Sequence, residues 1–92
     1  MKTKLAFGKS LKKLRKAKGV TQEDFSIVSS RTYISMLERG QKSPTLEKID
    51  ALAKVLRIHP GALLCLAYVN AGGYRNIEAL FERIRSDLAG IN

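Results

Sequence analysis

The chain has 92 residues, 45% of them hydrophobic, with 17 Lys or Arg against 8 Asp or Glu and a net charge of +9. That length supports one modest core with little left over for a catalytic cleft, and the ordinary apolar fraction argues against disorder. No apolar run approaches a membrane span, the basic N-terminus lacks the apolar stretch of a secretory signal, and a lone cysteine, Cys65, cannot form an internal disulfide, which fits a reducing cytoplasm.

The first predicted helix runs from about residue 4 to 18. Phe7, Leu11 and Leu14 fall at i, i+4 and i+7 on one face, and Lys9, Lys12, Lys13 and Lys16 take much of the remainder. Gly19 stops the helix, and Val20 re-enters the core. Residues 1–22 hold eight Lys or Arg and no acid, whereas the rest of the chain sets nine basic against eight acidic residues. The charge excess is therefore local, and such a surface suits a polyanion, most simply nucleic acid. As an isolated peptide the same pattern would suit a membrane surface or a calmodulin-like partner. Here the apolar face is needed by the domain.

Residues 21–40, TQEDFSIVSSRTYISMLERG, predict two short helices joined by a tight turn. Thr21 caps the first by accepting a bond from an amide near position 24, with Asp24 as a weaker capping-box partner. Phe25 and Val28, three apart, supply its apolar face. Ser29 or Ser30 caps the second helix, Tyr33 or Ile34 continues with Leu37 as a stripe, and Gly40 supplies the stop. The second helix then offers Arg31, Thr32 and Tyr33 to a partner.

These residues carry a family likeness. The stretch resembles the helix-turn-helix of the phage-repressor-like DNA-binding proteins, the Cro/CI or XRE type, and the likeness extends from about Phe7 to Leu64. Thr21-Gln22-Glu23 resembles the opening of the first motif helix. Ser26 stands where the family has a small residue that permits close approach of the second helix. Arg31 to Ser35 and Leu37 to Gly40 resemble the recognition helix and its exit. One departure stands out: between Gln22 and Arg31 the chain is two residues shorter than the family pattern and lacks the turn glycine. Removing two residues inside a helix would rotate every later residue by roughly 200°. The shortening is therefore expected in the turn, near Ser29 and Ser30.

Beyond the motif, Thr45 caps a helix to about Leu56, with Leu46, Ile49, Leu52, Ala53 and Leu56 on one face. His59 precedes Pro60, which suits a first helical position. The next helix, to about Asn70, is apolar nearly all round, and its second side is expected to meet another subunit. Asn70 to Gly73 break the chain. A last helix, about 74–89, carries Ile77, Leu80, Phe81, Ile84 and Leu88 as a stripe. The expected fold is all-α: a compact five-helix repressor-like helix-turn-helix domain over residues 1–70 plus a C-terminal amphipathic helix at 74–89. That last helix is expected at a dimer interface or packed on its own domain. Leu63, Leu66, Ile77, Phe81 and Ile84 are the expected interface residues.

The likeness implies sequence-specific binding of double-stranded DNA, with the second motif helix in the major groove. Arg31 is the first candidate for base readout, since its guanidinium can bond N7 and O6 of guanine together. Ser30, Thr32, Ser35 and Met36 join it at base edges. Gln22, Ser29, Tyr33, Arg39 and Lys42 are expected at phosphates, Gln22 by resemblance. Ser29 and Ser30 have capping as an equal alternative role. By resemblance, too, Arg15 and Glu38 form a partly buried ion pair tying the first helix to the third. The implied protein is a transcriptional regulator acting as a homodimer on a near-palindromic operator. It is expected to be cytoplasmic and nucleoid-associated, without cofactor, metal or enzymatic activity. The alternatives are an antitoxin that also holds a toxin, and an interaction module that uses the apolar C-terminal helices.

Overall fold

The computed structural model describes residues 2–91. The described residues contain five α-helices and no strand: α1 Thr3–Ala17, α2 Arg31–Glu38, α3 Leu46–Leu56, α4 Pro60–Ala71 and α5 Ile77–Asp87. A single 3-10 turn, Gln22–Phe25, separates α1 from α2. The all-α architecture read from periodicity is the one observed.

The amphipathic stripes explain the packing. Phe7 and Leu11 of α1 meet Ile34 and Leu37 of α2, Ile49, Leu52 and Leu56 of α3, and Leu63 and Ala67 of α4 in one core that also takes Phe25. α1 and α4 form the most extensive pair, α2 lies against α1, α3 against α4, and α5 mainly against α4. α4 is apolar on several sides because α1, α3 and α5 each cover part of it. Leu63, expected at an interface between copies, is fully buried in this chain's own core and leaves that set. Leu66 and Ile77 are half-buried, while Phe81 and Ile84 are exposed.

The caps are local chemistry. Thr21 Oγ1 accepts from Asp24 N at 3.2 Å, and Asp24 Oδ2 accepts from Thr21 N at 2.7 Å, a reciprocal capping box. Ser30, not Ser29, caps α2, its Oγ accepting from Tyr33 N at 3.1 Å. Thr45 and Asn76 cap α3 and α5 in the same way. His59 Nδ1 accepts from Gly61 N at 2.8 Å, so this histidine is a helix-start residue. Gly40, at φ 74°, closes α2, and Gln41 N donates back to Met36 O at 2.9 Å, the bond of a Schellman ending.

The first motif helix corrects the sequence reading. It is reduced to the 3-10 turn Gln22–Phe25, followed by turns through Ser29. The cap of α2 at Ser30 is intact. A 3-10 winding rises about 2.0 Å per residue against about 1.5 Å in an α-helix, so fewer residues span the same gap. Ser26, Ile27 and Val28, small-polar and β-branched, also resist a continuous α-helix. Ser26 is exposed rather than at a close contact. Close approach is supplied by Gly8: a Cβ there would sit 2.2 Å from Leu37 O and 2.7 Å from Glu38 O.

Candidate nucleic-acid interface

α2 has one face locked and one face free. Ile34 and Leu37 are fully buried, and Glu38 is nearly so. Arg31 and Thr32 are exposed, and Ser35 and Met36, one turn on, are half-buried on the same side. Ser30 is exposed at the helix entrance. The five residues expected at base edges thus share the outward face of one short helix.

The inward face is held by a polar network at its C-terminal end. Arg15 Nε donates to Glu38 Oε2 at 2.6 Å, and Nη2 donates to Oε1 at 3.0 Å, a two-pronged contact. Arg15 Nη1 donates to Val20 O at 3.2 Å. The arginine's pKa is raised above its ordinary value, chiefly by the hydrogen bond to Glu38, so it stays protonated at any working pH. Gln22 Nε2 completes the set by donating to Glu38 Oε1 at 3.0 Å. The Gln22 side chain, expected at a phosphate, is therefore turned inward onto Glu38.

The remaining expected phosphate residues scatter around the rim. Arg39 and Lys42 are exposed at the exit of α2, with Arg39 Nε donating to Ser35 O at 3.3 Å. Ser29 and Tyr33 are half-buried. Gly8 and Leu5 press α1 against the end of α2 and Gly40, and Thr3 and Lys4 border the same depression as Ser43 and Pro44. Exposed Lys4 consequently stands beside the loop that carries Lys42, extending the basic rim. Lys9, Lys12, Lys13 and Lys16 are exposed further along α1.

Two residues of this site escaped the sequence reading. Gly8 had a signal: a glycine inside a strongly helical stretch usually has a packing reason. Lys48 of α3 had none, because its contacts with Val28 and Tyr33 exist only in three dimensions. Among the described residues no group of His, Cys, Asp or Glu is arranged to hold a metal, and no single helix is long and apolar enough to cross a membrane.

Known proteins are similar to this chain in sequence and fold. A family profile described as helix-turn-helix matches residues 11–63. An uncharacterized HTH-type transcriptional regulator, y4dJ of Sinorhizobium fredii, is 40% identical over 53 residues, 55% of this chain and 69% of that protein. The control protein C.BamHI of Bacillus amyloliquefaciens is 36% identical over 64 residues, 66% of this chain and 79% of that protein. The crystal structure of the restriction-modification controller protein C.AhdI from Aeromonas hydrophila superposes with a TM-score of 0.61 at 39% identity, covering 64% of this chain and 92% of the other.

Proposed function

The chain belongs to the helix-turn-helix family of DNA-binding transcriptional regulators, and from that premise we propose that it is a controller-type regulator that reads an operator with α2 as a homodimer. The observation that carries the reading is the division of α2: Ile34, Leu37 and Glu38 are locked inward while Ser30, Arg31 and Thr32 stand exposed at its entrance. In this motif the N-terminal residues of the second helix meet base edges. Arg31 bonds a guanine, Thr32 and Ser30 take neighbouring edges, and Ser35 and Met36 add contacts one turn on. Arg39, Lys42 and the lysines of α1 hold phosphates. Ser29 and Tyr33 approach the backbone from the half-buried entrance, and Gln22 approaches it through its main-chain amide.

Dimerisation is supported by apolar surface. Phe81 and Ile84 of α5 and Leu88 at its C-terminal cap are exposed in one stripe. Beside them runs an apolar groove lined by Leu14, Cys65, Leu66, Ile77 and Phe81. Soluble monomers rarely keep such surfaces in water, and a two-fold axis buries both copies at once. The same axis presents two α2 helices to half-sites about 34 Å apart.

Selection of bound duplexes from a random DNA pool tests the reading. The parent chain is expected to enrich a near-palindromic sequence. Arg31→Ala then loses about 1–3 kcal/mol and relaxes preference at one base position. Lys42→Ala weakens all sequences alike and lowers the salt slope by about 0.9. An unchanged selection profile for Arg31→Ala would show that α2 is not the reading element.

A further inference from the structure

Lys48 is the third residue of α3, yet its side chain serves another part of the molecule. Its Nζ donates to Val28 O at 2.8 Å and stands 5.4 Å from the centre of the Tyr33 ring. Val28 lies in the turn that leads from the 3-10 element to α2, and Tyr33 lies in the first turn of α2. One half-buried ammonium from a third element therefore ties together both sides of the α2 entrance.

The two ends of α2 are secured differently. Its exit is held by Leu37 in the core, by the two-pronged Arg15–Glu38 contact and by Gly8 against its last carbonyls. Its entrance carries exposed Ser30, Arg31 and Thr32, and the segment before it is irregular turn rather than helix. Eight residues make α2 about 12 Å long. A tilt of about 10° around the exit would move the entrance by roughly 2 Å, more than a base-edge hydrogen bond tolerates. A lysine serving a phosphate keeps its ammonium in solvent. This one faces a carbonyl and an aromatic ring, both of which attract a cation.

We propose that Lys48 is a positioning residue for sequence readout, holding the Val28 turn and Tyr33 so that Ser30, Arg31 and Thr32 meet base edges, and that it is not a phosphate ligand. The proposal rests on the reading of α2 as the recognition helix. Lys48→Met in the full chain removes the donor and the charge while keeping the stem. Its affinities for the DNA sequence selected by the parent and for random-sequence duplex are measured over a range of salt. The preference for the selected sequence is expected to fall about ten- to a hundredfold, the discrimination carried by one good base contact. Affinity for random duplex and the salt slope stay at the parent's values. A slope lowered by about 0.9, with both affinities falling together, makes Lys48 a phosphate ligand and overturns the proposal. So does a preference equal to the parent's. If circular dichroism shows Lys48→Met unfolded, Lys48→Ala, which also removes the donor and the charge and favours the helix, takes its place and is decided by the same outcomes. A parent chain that selects no sequence overturns the proposed function and this inference together, and that result is distinct from a variant that matches a selective parent.

Discussion

Replacing Glu38 with alanine tests the buried network that anchors α2. The Arg15 and Glu38 side chains are only 10% and 4% exposed, so water screens their contact weakly. The substitution removes the acceptor for Arg15 Nε, Arg15 Nη2 and Gln22 Nε2. Arg15 would keep only Val20 O and remain charged, because a guanidinium deprotonates far above any working pH even without its carboxylate partner. In the parent, a folded-state pKa raised by Glu38 contributes stability that is fully present below the unfolded value. The arginine's share is therefore constant across the neutral range. Breaking a buried pair from one side costs about 3–5 kcal/mol. A 92-residue domain has roughly 5–14 kcal/mol in total. The melting temperature should then drop by about 12 °C or more, followed by far-UV circular dichroism with a urea titration alongside. The double substitution Arg15→Met with Glu38→Leu should regain most of the loss, since apolar packing can replace both charges together. A loss below about 1 kcal/mol for Glu38→Ala would mean that the pair behaves as an exposed one, and the anchoring argument would fail.

Local geometry sets three further outcomes. Gly8→Ala should destabilise the fold by about 1–3 kcal/mol in urea denaturation, because the new Cβ would collide with the Leu37 and Glu38 carbonyls and outweigh the gain in helix propensity. Arg57→Gly should stabilise it by about 0.5–1 kcal/mol in the same assay, since Arg57 closes α3 at φ 59° and ψ 43°, a left-handed conformation that costs a side chain but not glycine. Ile84→Asp should weaken self-association in analytical ultracentrifugation and cooperative operator binding together. Binding to random duplex should survive, since the lysines of α1 are untouched. Cooperative binding at full strength by a monomeric Ile84→Asp chain would remove α5 from the interface.

Periodicity alone determined the long helices. Phe7 with Leu11, Ile49 with Leu52 and Leu56, and Ile77 with Leu80 each recur at helical spacing, and an amphipathic stripe has one way to bury itself. Caps were equally legible, because Thr21, Thr45 and the stop at Gly40 act within a few residues of their own position. Arg31 and Thr32 on the outer face of α2 were legible from the same spacing. The tertiary structure decided the relations between elements. It wound Gln22–Phe25 as a 3-10 turn, since the reach required from Val20 to Ser30 depends on where α1 and α2 sit. It assigned Leu63 to the chain's own core, because an all-apolar α4 does not announce which side meets α1. It turned Gln22 inward onto Glu38 and brought Lys48 to Val28 across 20 residues of sequence. Local pattern encodes which face of a helix is buried. Which neighbour covers that face, and which long polar side chain reaches across to it, is set only when all the helices pack at once.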